Sequence, residues 1–267
     1  MKTVCIAGVG LIGGSFALAL RKAGFAGRIV GVSSPETARA ALACGAIDEA
    51  LPLPQAAASS DLIYLAQPIG RILQTIRVLD AYLAPGALIT DAGSTKFAIS
   101  EAAARHIRRG RFVGGHPMAG KESRGVEHAE AALFRGRPYV LTGRDAQLES
   151  WIERIGARLV FMDAAEHDRL IARTSHLPQL ISTALASLLV DEDKAARVAG
   201  PAAIELTRLA LSPYEIWRDI FSTNSTRIDD ALTAFIGKLE QLRSNLCDPS
   251  MQAHFEKAAA VARELRR

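Results

Sequence analysis

Cysteine is scarce in this sequence, with three in 267 residues, Cys5, Cys44 and Cys247, widely separated and odd in number. None stands in a CxxC or Cys/His spacing, so neither a disulfide framework nor a metal site is expected, and the pattern suits a reducing compartment. No apolar run reaches the roughly 20 residues that span a bilayer. Met1-Lys2-Thr3-Val4 opens directly onto a strand-like run, without a basic-then-apolar leader, so a cytoplasmic location without membrane attachment is expected. Excess charge is small, +4, and aromatics make up only 6%. The densest basic cluster, Arg105, Arg108, Arg109 and Arg111, has no interleaved aromatics. It reads as a solvated helix end and not as a nucleic-acid surface. With 21 Gly and 11 Pro, the chain has an ordinary globular share of both, which excludes fibrous and low-complexity readings.

What is present is a chain able to bury a core, 49% hydrophobic and 22% charged, long enough for one large domain or two ordinary ones. Residues 3–9 (TVCIAGV) form a short β-branched run ending in glycine, followed by LIGGSFALALRKAG with helical periodicity. A second run, RIVGV at 28–32, leads into SSPETARAALACG, where Ser34 is placed to cap a helix, Pro35 to start it and Gly45 to end it. The alternation continues with DLIYLAQP at 61–68, a helical stretch from about 69 to 83, ALITDAGS at 87–94, a helix around 95–107, and RFVGGHP at 111–117. Alternating strands and helices imply a parallel sheet covered on both faces. The runs RPYVLT at 137–142 and RLVFM at 158–162 are expected to finish that sheet. After Asp163 helical periodicity takes over, with breaks expected at Gly200-Pro201, Ser212-Pro213 and Asp248-Pro249. The expected division is an α/β domain over 1–163 and an all-helical domain over 164–267. Charge follows it: 19 basic against 14 acidic residues before the boundary, 13 against 14 after it.

Gly8-Val9-Gly10-Leu11-Ile12-Gly13 fits G-x-G-x-x-G, with a strand before it and a helix after it. Gly8 would permit the tight turn, Gly10 a close backbone approach to a pyrophosphate, and Gly13 close helix packing on the strand. The anion would rest on the helix end at Leu11 and Ile12, where free N–H groups and the positive end of the helix dipole meet. The first domain is thus expected to be a Rossmann-type dinucleotide-binding domain. An Asp or Glu at the end of the second strand would favour NAD. Here Ser33 and Ser34 stand there, with Glu36 beyond Pro35 and Arg39 one turn on. That favours NADP over NAD, because no carboxylate repels a 2′-phosphate; the alternative is that the two serines only cap the helix.

Three further segments place reactive residues at strand ends or inside an apolar helix: DAGSTK at 91–96, GGHPMAG at 114–120 and TSHLPQ at 174–179. Together with GVGLIGGS at 8–15, KE at 121–122, EHD at 166–168 and TRLALSPYEIWRDIFSTN at 207–224, they run over nearly the whole chain in one order. In that set the sequence resembles the prephenate/arogenate (cyclohexadienyl) dehydrogenase family of tyrosine biosynthesis. The resemblance implies oxidative decarboxylation of a cyclohexadienyl acid, arogenate or prephenate, with hydride passing to NAD(P)+. It implies that His116 takes the proton of the substrate hydroxyl and that Ser94 contacts the same hydroxyl and the nicotinamide region. Arg208 would bind a substrate carboxylate, and His176 would be a second substrate-side histidine. Lys96, Gln179, Trp217 and Asn224 would line or support the site. It also implies a homodimer joined through the helical domain, to which the apolar stretch Leu177 to Val190 is suited. Two alternatives are a β-hydroxyacid or 6-phosphogluconate-type dehydrogenase and a non-catalytic dinucleotide sensor.

Overall fold

The computed structural model describes residues 1–121, 123–192 and 194–266. Among these, six strands pair in parallel: β1 (Thr3–Ala7), β2 (Arg28–Val32), β3 (Glu49–Ala50), β4 (Leu62–Leu65), β5 (Leu88–Asp91) and β6 (Arg111–Val113), in the order β3-β2-β1-β4-β5-β6. The chain starts in the middle of the sheet, builds outward to one edge, then crosses back to build the other. Helices α1 (Leu11–Lys22), α2 (Pro35–Ala43), α3 (Leu53–Ala58), α4 (Ile69–Leu79) and α5 (Phe97–His106) connect the strands. The two-residue β3 and the short α3, whose sequence carries no strong periodicity, lie between elements the sequence makes plain.

Because a parallel sheet is covered on both faces, its strands are apolar throughout and their two side-chain rows feed two cores. Val4 and Ile6 of β1 face one core with Phe16, Leu20 and Tyr64. Cys5 and Ala7 face the other with Ile63, Ile72 and Ile89. Phe16 stacks on Tyr64 with ring centroids 3.9 Å apart.

The runs at 137–142 and 158–162 do not finish this sheet, contrary to expectation. They form β8 (Pro138–Leu141) and β9 (Arg158–Phe161), joined by α6 (Ala146–Arg154), and pair with β7 (Gly115–Pro117) in a separate three-stranded sheet. The run 111–117 therefore splits into β6 and β7. At the split the chain passes so close over the end of β5 that a Cβ on Gly115 would lie 2.6 Å from the Asp91 carbonyl oxygen. From there β7 runs antiparallel to β8, outside the six-stranded sheet.

Beyond Asp163 the described residues hold helices and no strand. Asp163 accepts from the N–H groups of Ala165 and Glu166 and caps α7 (Ala164–Ile171). A wide π-turn, Ala172–His176, joins α7 to α8 (Leu177–Ser187). Then follow α9 (Ala195–Val198), α10 (Pro201–Thr207), a 3-10 turn (Arg208–Leu211), α11 (Tyr214–Ser244) and α12 (Met251–Glu264). Ala172, Leu177, Ile220 and Ile228 share a core with Ile72 and Ile89 of the sheet domain, so the helices pack directly onto it. No described helix is long and apolar enough to cross a membrane.

Candidate active site

The glycine turn has the shape that its sequence requires. Gly8 sits at φ +94°, and a Cβ on Gly13 would lie 2.1 Å from the Gly8 carbonyl oxygen and 2.8 Å from Ile6. In front of Gly10 the space is open, and no side chain caps α1. A cleft of about 470 Å³ opens here, lined among others by Gly10, Leu11, Ile12, Gln67, Ser94 and Gly120. Open space at Gly10, an uncapped helix N-terminus and a cleft of ligand size fit a dinucleotide's pyrophosphate.

The Gly8 N–H bonds the Val32 carbonyl at 2.9 Å, which puts Ser33 one residue from the turn. Ser33, Ser34 and Arg39 are all exposed there. Ser34 is also a helix cap, its Oγ accepting from the Thr37 N–H at 3.3 Å.

At the carboxyl end of β5, Asp91 accepts from the Gly93 N–H at 2.8 Å and the Gly115 N–H at 3.1 Å and pairs with the Lys96 ammonium, both side chains fully buried. Burial pulls the Lys96 pKa down, against the pull of Asp91. This pair ties the DAGSTK segment to the β7 strand that carries His116.

His116 is 8% exposed. Its Nδ1 lies 2.9 Å from His167 Nε2, and His167 Nδ1 lies 2.7 Å from Asp168 Oδ1. Asp168 also accepts from the Lys96 N–H at 2.7 Å and the Phe97 N–H at 2.9 Å, taking the capping role that α5 lacks on its own chain segment. Burial first, then the neighbouring His167, Lys96 and His176, hold the His116 pKa well below its ordinary value of 6.5.

His176 closes the π-turn and is 1% exposed. Pro178, in the first turn of α8, has no N–H to give the preceding turn, which accounts for the local widening. Asn224 sits at a break in α11, with φ −137° and ψ 23°. Its Nδ2 donates to the Asp168 carbonyl at 2.9 Å and reaches His176 Nδ1 at 3.3 Å. Because Nδ2 is a donor, His176 Nδ1 accepts, and the proton of this ring resides on Nε2. That Nε2 is buried with no partner, an arrangement that leaves a donor for a ligand oxygen. Burial lowers the His176 pKa to about 4, against the opposing pull of Asp168.

Gln179 donates to the Leu209 carbonyl at 2.8 Å, holding the 3-10 turn that carries Arg208. Trp217 donates to Ser212 Oγ at 2.9 Å and meets the His176 ring edge-on. Arg208 is exposed and faces an opening lined by Gly120, Lys121 and Ser123, residues that also line the cleft. The structure thus gathers His116, His176, Lys96 and Asn224 in one buried network and puts Ser94 in the cleft and Arg208 at its rim. Glu122 lies outside the described residues.

The roles of His167, Asp168 and Asp91 were not assigned from sequence. EHD at 166–168 marked the first two, but nothing local to them shows that they meet His116, 51 residues earlier. For Asp91 the available signal was a carboxylate ending a buried apolar strand.

Residues 16–164 match the family model of the prephenate dehydrogenase nucleotide-binding domain, and 163–258 that of the prephenate dehydrogenase dimerization domain. The chain belongs to the prephenate dehydrogenase family. It is 33% identical to the prephenate dehydrogenase of Lactococcus lactis subsp. cremoris over 96% of this chain and 75% of that protein. Its fold matches A. aeolicus prephenate dehydrogenase in complex with hydroxyphenyl propionate and NAD+ at a TM-score of 0.88 and 29% identity, covering 100% of this chain and 99% of that one. Synechocystis arogenate dehydrogenase matches at a TM-score of 0.85 and 30% identity, covering 98% and 99%. These relatives favour a dehydrogenase of this family over the β-hydroxyacid and sensor alternatives.

Proposed function

We propose that this dehydrogenase oxidises and decarboxylates a cyclohexadienyl acid, prephenate or arogenate, with NADP+ preferred over NAD+. The observation that carries the chemistry is His116, a buried imidazole held in its neutral form at the end of a hydrogen-bonded chain, on the strand that leads into the cleft-lining Ala119 and Gly120.

A nicotinamide bound in the cleft would supply the hydride acceptor. His116 Nε2, left free because Nδ1 faces His167, takes the proton of the ring hydroxyl as hydride leaves the same carbon, and the ring carboxylate departs as CO2 while the ring becomes aromatic. Ser94, in the cleft, shares the hydroxyl and fixes its direction. His176 offers its unpartnered Nε2–H to a substrate oxygen, and Arg208 meets a carboxylate with a planar, permanently charged fork. Positioning and proton transfer are the protein's share, since aromatisation drives the reaction.

NADP+ is supported by the exposed Ser33, Ser34 and Arg39 and by the lack of a carboxylate at the end of β2. Ser33→Asp is expected to move kcat/KM toward NAD+, and an unchanged NADP+/NAD+ ratio would place the ribose pocket elsewhere. We further propose division near Asp163 into nucleotide-binding and helical domains, a cytoplasmic location and a homodimer. The dimer is supported by Leu188, Val190 and Leu211, each at least three-quarters exposed in the single chain. A sedimentation mass of one chain would refute it.

A further inference from the structure

His116 is carried by the sheet domain, on β7, but the residues that contact its Nδ1 side come from α7 in the helical region. Asp168 is the anchor. Its Oδ1 accepts from the Lys96 N–H and lies 2.7 Å from His167 Nδ1, and its Oδ2 accepts from the Phe97 N–H. Two of the three donors are backbone amides at the start of α5, where the helix dipole favours a carboxylate. Because the carboxylate only accepts, the proton of the His167–Asp168 bond sits on His167 Nδ1. His167 is fully buried, and its Nε2 then has a lone pair for which His116 Nδ1, at 2.9 Å, is the partner.

The charged or titratable groups that act on His116 are His167 from α7, Lys96 from the end of β5 and His176 from the π-turn, with Asp168 bonded to His167 and Asp91 to Lys96. Lys96 is paired with Asp91, and Asp168 is seated on the α5 end.

We propose that His167 and Asp168 are positioning residues that fix the proton of His116 on Nδ1 and its lone pair on Nε2. The same carboxylate caps α5, so the base takes up its working form only when the helical region is docked on the sheet. What His116 does with that lone pair rests on the function proposed above; the tautomer itself does not. In turnover the substrate O–H bond breaks and a bond from the proton to Nε2 forms. The Nδ1 proton can then shift to His167 Nε2, so that the new positive charge lies beside the Asp168 carboxylate. No other reactant is needed.

The test is ring 15N NMR of the histidine-labelled protein, without substrate, paired with kinetics of His167→Leu and His167→Gln. In the wild type the His116 ring is expected to carry its proton on Nδ1; a proton on Nε2 overturns the proposal without recourse to any variant. His167→Leu is expected to lose about 100-fold in kcat, the scale of a general base, with KM for the cyclohexadienyl acid and Kd for NADP+ within about twofold, estimated from the role of a group that acts only in the transition state. His167→Gln, whose amide oxygen can stand where Nε2 stood, is expected to recover at least about tenfold of that loss. A His167→Leu protein with wild-type kcat and pH profile overturns the proposal. If the wild type turns over neither prephenate nor arogenate, the functional reading falls, and the NMR measurement still decides the tautomer.

Discussion

At the scale of single residues the account turns on where protons reside. His116→Asn keeps the size of the side chain but removes the base, and kcat is expected to fall by about 10²- to 10⁴-fold with little change in KM. Steady-state kinetics at saturating cofactor measure this, and wild-type activity would remove His116 from the mechanism. Arg208→Ala is expected chiefly to raise KM for the acid; an effect confined to the cofactor KM would reassign it. The pH dependence has a definite sign. As the proposed base, His116 would work unprotonated, and its pKa is held well below 6.5, so kcat is expected to stay level as pH falls through 6.5 and to drop only in more acid solution. Stability behaves otherwise. With His116 and His176 buried neutral, the latter at about 4, the unfolded chain binds protons below about 6.5 while the folded one does not. Stability is therefore full above that pH and declines toward pH 4, by about 1.4 kcal/mol per pH unit for each such histidine. Urea midpoints at neutral and mildly acid pH measure it, and equal midpoints would contradict neutral burial.

At the scale of elements, the helix ends beside the cleft are completed from a distance. Neither α4 nor α5 has a side-chain cap of its own. Asp168 supplies the cap for α5, and Asp219 of α11 accepts from the Gly70 N–H at 2.9 Å in the first turn of α4. Asp219→Ala is expected to cost about 1 kcal/mol, the usual worth of a cap, read from the denaturant midpoint. No change would show that the α4 end is satisfied otherwise. Such long-range caps explain which parts of the site were legible in the sequence. Ser34 ahead of Pro35 announced α2 because both signals are local. The glycine turn was legible because its backbone geometry allows few other residues. His116 and His176 stood out by motif, but the link between His116 and Asp168 runs across 51 residues to His167, and no periodicity records it. The β6–β7 split was hidden because RFVGGHP at 111–117 carries no turn signal beyond two glycines; the close approach of Gly115 to β5 and the pairing of β7 with β8 show that the chain leaves the sheet. Pro178 was not among the expected breaks, and the π-turn ahead of it has no local signal of its own.

At the scale of the whole molecule, the helical region completes a site that the nucleotide domain begins. The parallel sheet brings the glycine turn and Ser94 to its carboxyl edge, β7 of the second sheet sets His116 beside the end of β5, and the helices bring His167, Asp168, His176 and Arg208 against them. Thr95 and Thr223 meet across the same junction, hydroxyl to hydroxyl at 2.8 Å. The excess of basic residues in the first 163 positions accords with an anionic cofactor there. The most exposed apolar side chains, among them Val190, Val198, Leu211 and Phe255, lie in the helical region, as the proposed homodimer would require. The central claim is the reaction itself. Purified protein is mixed with NADP+ or NAD+ and either prephenate or arogenate, and reduced cofactor and CO2 are measured together. The account expects equal amounts of both from at least one of the two acids, with the higher kcat/KM on NADP+; reduction of neither cofactor by either acid would contradict it.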